Sequence, residues 1–137
     1  MIHVDTSFLI RALDRNSPED QQLRVWLREG VSLGISAVSW AEFLCGPVQE
    51  SDVELATRIV GEPEPFVSGD AMLTARLFDL AGRRRGSLAD CMIAATALRA
   101  QAPLATGNVS DFRRFESAGL RIVTVKPLRS GRTGDLP

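Results

Sequence analysis

The sequence contains few of the residues that bind transition metals or form disulfide bonds. Its 137 residues include one histidine, His3, and two cysteines, Cys45 and Cys91. A single histidine leaves almost nothing from which to build a His-based catalytic triad or a structural zinc site. The two cysteines lie in helical patterns without metal-ligand spacing, and we interpret both as reduced residues of the core.

Long apolar runs are also missing. No run of about 18 apolar residues occurs, so the sequence predicts no transmembrane helix. The N-terminus lacks the basic segment and apolar core of a secretory signal, and we expect a cytoplasmic protein that enters no membrane. The apolar fraction of 45% and the charged fraction of 24% are ordinary for a soluble globular protein. The chain contains no repeats or low-complexity segments, and its length suits one domain with a substantial core.

Short β-prone runs alternate with helical patterns along the chain. The predicted strands cover residues 2–4, 31–35, 66–67, 103–106 and 121–125. Alternation of this kind is typical of an α/β protein with a central, mostly parallel sheet of four to five strands flanked by helices on both faces. Residues 1–126 form a single predicted domain. Gly, Pro and Arg are frequent after Lys126, and we expect a flexible C-terminal tail over residues 127–137.

Acidic and amide side chains follow the predicted strands or begin the helices beside them. These residues are Asp5, Glu42, Asp90, Asn108 and Asp111. The carboxyl ends of parallel strands meet at one edge of a sheet, where open α/β proteins bind ligands. Carboxylates gathered at such an edge cannot all ionise unless a cation shares the site. Oxygen ligands without histidine or thiolate favour Mg²⁺ or Mn²⁺, and such a site suits in-line hydrolysis of a phosphodiester.

A structural explanation exists for each acidic residue taken singly. Ser39 with Glu42, and Ser87 with Asp90, have the capping-box spacing of an N-terminal hydroxyl and an acid three residues later. Asn and Asp are also common in turns and caps. Taken one at a time, these residues are better explained as caps than as catalytic groups. Their common placement at one edge is what favours a metal site.

Asp5 alone has a further interpretation as a phosphoacceptor. The two hydroxyl residues that follow it, Thr6 and Ser7, are possible N-caps of the first helix. A dehalogenase-like phosphotransfer site requires a second acid two residues after the nucleophile, where this chain has Ser7. A receiver domain requires adjacent acids on the first strand, and His3-Val4-Asp5 supplies one. The sequence therefore disfavours phosphotransfer.

Arginines form two local clusters in a chain whose net charge is -1. The clusters are Arg83, Arg84 and Arg85, and Arg113 with Arg114. Such runs are most often a solvated face, and the first cluster also suits the negative end of a helix. The alternative is that they contact the phosphates of a nucleic acid, which would position it without reading its sequence.

Four segments resemble the PIN-domain ribonucleases, specifically the VapC-type toxins of bacterial toxin–antitoxin pairs. They are residues 4–7, 35–46, 87–97 and 104–112, in family order and across nearly the full chain. The most distinctive reads Ser-Leu-Ala-Asp-Cys-Met-Ile-Ala-Ala-Thr-Ala at residues 87–97. The resemblance implies a three-layer PIN-like fold. It also implies a Mg²⁺-dependent endoribonuclease that acts as the toxin of a type II pair.

The same resemblance assigns expected roles. Asp5, Glu42 and Asp90 match the three acidic positions that surround Mg²⁺, or Mn²⁺, in this family. Thr6 matches the hydroxyl beside the first acid, and Thr106 is expected to support the site.

The fourth acidic position departs from the family pattern. Asn108 stands where many relatives have an acid or an asparagine, and Asp111 follows in the Asp-Phe pair. The basic residue that is usual before this position is replaced by Gly107. The fourth site residue therefore stays open between Asn108 and Asp111.

The resemblance also implies partners: an RNA substrate, a small cognate antitoxin whose C-terminal segment covers the acidic edge, and a second copy in a homodimer. Trp26, Trp40 and Phe43 either form the antitoxin dock or pack in the core. The alternative function is a binding module, in which the same fold holds nucleic acid or a DNA-binding antitoxin with little or no catalysis.

Overall fold

The computed structural model describes residues 1–125 of the chain. Within them, a parallel sheet lies between two groups of helices, which confirms the predicted α/β class. The predicted flexible tail, residues 127–137, lies outside the described residues.

The sheet has four strands in the order β2-β1-β3-β4, and all neighbouring pairs are parallel. The strands are β1 (Ile2–Val4), β2 (Leu33–Ile35), β3 (Leu104–Ala105) and β4 (Ile122–Val123). Because β1 pairs with a strand on each side, the residue that follows it lies in the middle of the carboxyl edge. This position is occupied by Asp5.

The predicted strand at residues 66–67 is wrong. These residues form an extended approach to a helix and pair with no strand among residues 1–125. The chain instead touches the sheet slightly earlier, through one parallel bridge between Ser36 and Glu64. Prolines at positions 63 and 65 flank Glu64. They remove the backbone donors that a longer strand would need there.

Seven α-helices lie within residues 1–125. They are α1 (Thr6–Ala12), α2 (Pro18–Arg28), α3 (Ala37–Cys45), α4 (Glu50–Val60), α5 (Ser68–Leu80), α6 (Leu88–Arg99) and α7 (Val109–Phe112). Short 3₁₀ turns precede α6 at Arg85–Ser87 and follow α7 at Arg113–Ala118.

The sheet separates two apolar cores. Successive strand residues face opposite sides of a sheet. Ala105 accordingly packs with α1 to α4 in one core, and Leu104 packs with α5 and α6 in the other. Helix α6 is almost enclosed, since residues 93–97 are all buried. The two cores confirm the three-layer arrangement.

Two predicted helix caps are replaced by neighbouring residues, and the side chain of the third makes no cap. Helix α1 is capped by Asp5 itself and not by either hydroxyl residue after it. Helix α3 is capped by Ser36, whose Oγ accepts from the Ser39 N–H at 3.0 Å. Ser87 makes no side-chain cap, because its hydroxyl donates to the Arg84 carbonyl at 2.6 Å. The capping-box explanation of Glu42 and Asp90 is therefore wrong.

Aromatic and cysteine residues divide between core and surface. Trp26 and Phe43 are buried in the core, and the rings of Trp26 and Phe8 stack at 5.7 Å. Both are thus core residues. Cys91 is buried as predicted, whereas Cys45, at the end of α3, is exposed. The prediction of a core position for Cys45 is wrong.

Within residues 1–125, no helix combines the length and the apolar character needed to cross a bilayer.

Candidate active site

Asp5 is a buried carboxylate held by neutral donors. Its side chain is 4% exposed. The Oδ1 atom accepts from the Phe8 N–H at 2.9 Å and from the Ser7 hydroxyl at 2.7 Å. The Oδ2 atom accepts from the Thr106 hydroxyl at 2.5 Å. Burial raises the pKa of Asp5, and these hydrogen bonds offset part of the rise.

Two hydroxyls connect Asp5 to the end of β3. The Thr106 hydroxyl oxygen accepts from the Asn108 N–H at 3.0 Å while donating to Asp5. The Ser7 hydroxyl oxygen accepts from the Gly107 N–H at 2.9 Å while donating to Asp5. The orientation of the carboxylate is therefore fixed by α1 and by the segment after β3 at once. The structure thus places Thr106 at the site, as the sequence predicts, and adds Ser7.

Glu42 lies on α3 beside the start of α1. The Thr6 hydroxyl donates to the Ser39 carbonyl at 2.7 Å and lies 3.3 Å from Glu42 Oε1. Thr6 therefore fastens α1 to α3 next to the Glu42 carboxylate. Desolvation by the surrounding protein raises the pKa of Glu42, the Thr6 hydrogen bond opposes the rise, and the charge of Asp5 adds to it.

Asp90, in the first turn of α6, has the most perturbed carboxyl group of the site. Burial, and after it the charges of Asp111, Glu42 and Asp5, raise its pKa to about 6. Arg114 opposes this shift. These electrostatic effects place the four carboxylates, which come from four separate segments, in one acidic neighbourhood at the carboxyl edge of the sheet. We call this group, Asp5, Glu42, Asp90 and Asp111, the acidic edge.

A cleft of about 390 Å³ opens beside α6. Its lining residues are Arg84, Gly86, Ser87, Asp90, Asp111 and Arg114. Asn108 is exposed, caps α7 without a side-chain hydrogen bond, and serves the site through its N–H to Thr106. Of the two candidates for the fourth position, Asp111 is the one that faces Asp90 across this cleft.

The structure separates the five arginines of the sequence-predicted basic clusters. Arg84 and Arg114 line the cleft. Each is anchored through Nε to a backbone carbonyl, Arg84 to Ala81 at 3.4 Å and Arg114 to Asp111 at 3.2 Å. The guanidinium of Arg114 also lies over the Phe115 ring, 5.7 Å from its centroid.

The remaining three arginines are placed differently. Arg83 pairs with Asp79 at 2.5 Å and lies over the Phe78 ring. Arg85 and Arg113 are exposed and lie outside the lining of the cleft.

The donor chemistry of the acidic edge fits a hard divalent cation. Its ligand atoms are carboxylate and hydroxyl oxygens, and the pKa values of Asp5, Glu42 and Asp90 are all raised. Within residues 1–125, no three His, Cys, Asp or Glu side chains lie close enough together to hold a metal ion in their present positions. The carboxylates are neighbours and do not form a closed cage. Mg²⁺ suits such a site, because it binds few carboxylates and keeps several waters.

Comparisons with known proteins agree with this geometry. The family model described as PIN domain matches residues 2–117. The comparison with curated proteins gives no match.

Several solved structures share the fold at low sequence identity. VapBC2 from Rickettsia felis, bound to a promoter DNA fragment, gives a TM-score of 0.72 at 19% identity, covering 92% of this chain and 100% of that chain. A toxin–antitoxin complex from Klebsiella pneumoniae gives 0.71 at 24% identity, with coverage of 93% and 100%. VapBC-1 from nontypeable Haemophilus influenzae gives 0.67 at 23% identity, with coverage of 90% and 97%.

Proposed function

This chain belongs to the PIN domain family, and we propose that it is a Mg²⁺-dependent endoribonuclease acting as the toxin of a type II toxin–antitoxin pair. One observation carries the proposal. Four carboxylates from four separate segments share the carboxyl edge of the sheet, and the charges of the other three add to the effect of burial in raising the pKa of Asp90 to about 6. Two of them are left without the capping roles that their sequence positions suggested. Asp5 caps α1, but the charge of the acidic edge as a whole suits a cation site and is not explained by helix capping.

Asp5, Glu42 and Asp90 are the proposed metal ligands, and Asp111 is the proposed fourth site residue. PIN-domain nucleases generally use divalent metals, which supports this assignment. When bound, Mg²⁺ supplies the positive charge that polarises a phosphate and acidifies water. Mn²⁺ suits the same oxygen donors.

Hydroxyl groups of the chain orient the carboxylates of Asp5 and Glu42. Ser7 and Thr106 hold the two oxygens of Asp5 in fixed directions. Thr6 does the same for one oxygen of Glu42, because its hydroxyl is itself fixed on the Ser39 carbonyl. Ligands whose orientation is set in advance lose little entropy when a cation binds. Asn108 supports this arrangement through the N–H that it donates to Thr106.

Arg84 and Arg114 are the proposed contacts with the RNA backbone. Both line the cleft that contains Asp90 and Asp111, and both are anchored through Nε. A guanidinium held in this way presents its terminal N–H groups to a phosphate with little further ordering. Arg83, Arg85 and Arg113 are secondary candidates, which would add long-range attraction from the surrounding surface.

A small cognate antitoxin is the proposed protein partner. The structures that share this fold are described as toxin–antitoxin complexes, one of them on promoter DNA, which supports the proposal. Homodimerisation and a cytoplasmic location remain predictions of the sequence.

Cleavage mapping on total RNA tests the proposed activity. We expect the purified protein to cut RNA with Mg²⁺, to stop when EDTA is added, and to lose the activity in Asp90→Asn. Asp14→Asn is the matched control, because this exposed carboxylate at the end of α1 lies outside the cleft. Undiminished cutting by Asp90→Asn, or in EDTA, would contradict the metal assignment.

The alternative is a PIN-fold binding module that holds nucleic acid or an antitoxin without cutting. The observation in its favour is that no three His, Cys, Asp or Glu side chains among residues 1–125 lie close enough together to hold a metal ion. RNA binding without cleavage across many substrates, together with no binding of Mn²⁺, would favour this alternative.

A further inference from the structure

Gly107, at the end of β3, lies directly against the guanidinium of Arg11. A Cβ atom added at Gly107 would meet Cζ, Nε and Nη1 of Arg11, each at 2.9 Å. Its φ lies outside the left-handed region, so the local backbone would accept an ordinary residue. The missing side chain therefore makes room for Arg11 and is not required by the turn.

Arg11 lies in the last turn of α1. It follows Ser7 by four residues on the same helix. Long side chains in a helix lean toward its N-terminus, so the guanidinium of Arg11 reaches back over the start of α1. The start of α1 is where Ser7 binds both Asp5 and the Gly107 N–H. The guanidinium thus lies beside the segment that holds the central carboxylate of the acidic edge.

The charge of Arg11 is only weakly engaged by the protein. Its side chain is 52% exposed, and Nη1 lies 3.9 Å from Glu19 Oε2, at the long limit of an ion pair. The arginine end of this pair is exposed, and a pair at so long a distance contributes little. The guanidinium can therefore bind an anion from solvent without giving up a strong internal contact.

We propose that Arg11 is a phosphate-binding residue of this site, which reaches the RNA backbone through the space left by Gly107. The proposal rests on the RNA substrate of the proposed function and adds a contact from α1 to those of Arg84 and Arg114. The competing explanation is structural: Arg11 links α1 to α2 through Glu19.

A binding experiment separates these explanations. The probe is a fluorescein-labelled single-stranded RNA 20-mer of mixed sequence, titrated by anisotropy at several salt concentrations. We expect Arg11→Ala to weaken binding about fivefold, the size of one exposed charge contact. The slope of log affinity against log salt should fall by about 0.7, as for one released counterion. Arg11→Lys should keep most of the affinity. Arg15→Ala removes an exposed charge four residues on and is the matched control.

A double-mutant cycle tests the space at Gly107. The added methyl of Gly107→Ala displaces the guanidinium, so this variant should also weaken binding in the wild-type background. It should have no effect in the Arg11→Ala background. Equal effects of Gly107→Ala in both backgrounds would overturn the role of the glycine.

Two outcomes would overturn the role of Arg11. One is an Arg11→Ala affinity equal to that of Arg15→Ala; the other is a lower melting temperature with an unchanged salt slope. The cleavage assay on the wild-type protein separates this failure from that of the proposed function. Failure of the proposed function appears as wild-type protein that cuts no RNA. Failure of this inference appears as Arg11 variants that bind RNA normally.

Discussion

Two groups of carboxylates in this molecule differ in whether an arginine forms an ion pair with a buried carboxylate. Asp70, on α5, is fully buried and accepts from the Val67 N–H at 3.0 Å and from Arg99 Nε at 2.6 Å. Arg99 also donates to Glu64 at 3.0 Å. Asp5, at the acidic edge, is almost as buried, yet its hydrogen bonds come from neutral N–H and hydroxyl groups.

The difference shows how the two groups serve the protein. The contacts of Arg99 with Asp70 and Glu64 raise the pKa of Arg99. The charges around Asp70 are therefore balanced within the chain and contribute to the fold. At the acidic edge the pKa values of Asp5, Glu42 and Asp90 are instead raised, in each case chiefly by burial, which is a cost to the folded state when all three are ionised. In the proposed function, a cation from solution takes at the acidic edge the place that Arg99 has beside Asp70.

The largest expected effect comes from replacing each of the two buried aspartates, Asp5 and Asp70, by asparagine in separate variants. We expect Asp5→Asn to reduce RNA cleavage by at least about 100-fold, because the metal loses its central ligand. Its melting temperature should change little, since Asn preserves the acceptor for Phe8. Asp70→Asn should lower the melting temperature and leave the activity of the folded fraction unchanged. Comparable activity losses in both variants would remove the distinction between the two groups.

The second effect is on stability. Arg99→Met leaves the Asp70 carboxylate buried without its partner, and we expect a loss of about 3 kcal/mol in the free energy of unfolding. Arg83→Met breaks the exposed pair with Asp79 and should cost less than about 1 kcal/mol. Urea denaturation of both variants measures the difference. Equal losses would mean that Asp70 does not depend on Arg99.

The third effect is a pH dependence of the metal-free protein. Because the pKa of Asp90 is raised to about 6 from 3.8, the folded state holds this proton more tightly than the unfolded chain. The contribution of the protonated Asp90 to the free energy of unfolding is therefore fully present below pH 3.8 and is lost as the pH rises to about 6. We expect Asp90→Asn to be more stable than wild type by about 1–2 kcal/mol at pH 7.5 in EDTA, and to match it near pH 4. Urea denaturation at the two pH values checks this.

Added Mg²⁺ should remove the difference in stability between Asp90→Asn and wild type at pH 7.5. The cation would neutralise the charge of Asp90 in the wild-type protein, as protonation does at low pH. An Asp90→Asn advantage that persists at pH 4 would contradict an electrostatic cause.

The smallest expected effect concerns the arginines beside the acidic edge. Arg99 forms ion pairs with Asp70 and Glu64, whereas the terminal N–H groups of Arg114 are proposed contacts of the RNA. We expect Arg114→Ala to weaken binding of a labelled RNA 20-mer about fivefold. Arg113→Ala, which removes the adjacent exposed charge outside the cleft, should weaken it less than about twofold. Equal losses would indicate diffuse attraction in place of a cleft contact.

Much of the fold follows from local sequence patterns. Alternating apolar runs and helical patterns predict four of the strands and their parallel sheet, because these depend on burial and periodicity along the chain. The caps are harder to predict, because neighbouring polar residues compete for the same N–H groups. Asp5 caps α1 in place of Thr6, and Ser36 caps α3 in place of Ser39.

The site was predictable as far as its residues lie at strand ends. Asp5, Glu42 and Asp90 needed only a parallel sheet to bring them together. The remaining contacts depend on distant parts of the chain. The Ser7 hydroxyl meets the Gly107 N–H across 100 residues, and Arg99 meets Asp70 across 29. No local pattern encodes these pairings. The only available signal for Ser7 was its position two residues after a strand-end acid.

Binding of Mn²⁺ tests the central claim most directly, because it reports the cation and not the reaction. Electron paramagnetic resonance measures free Mn²⁺ in a titration at pH 7.5 of wild-type protein, Asp5→Asn/Asp90→Asn and the control Asp14→Asn. We predict that wild type and the control remove Mn²⁺ from solution equally and that the double variant does not. Equal binding by all three proteins, or by none, would contradict a cation site at the acidic edge.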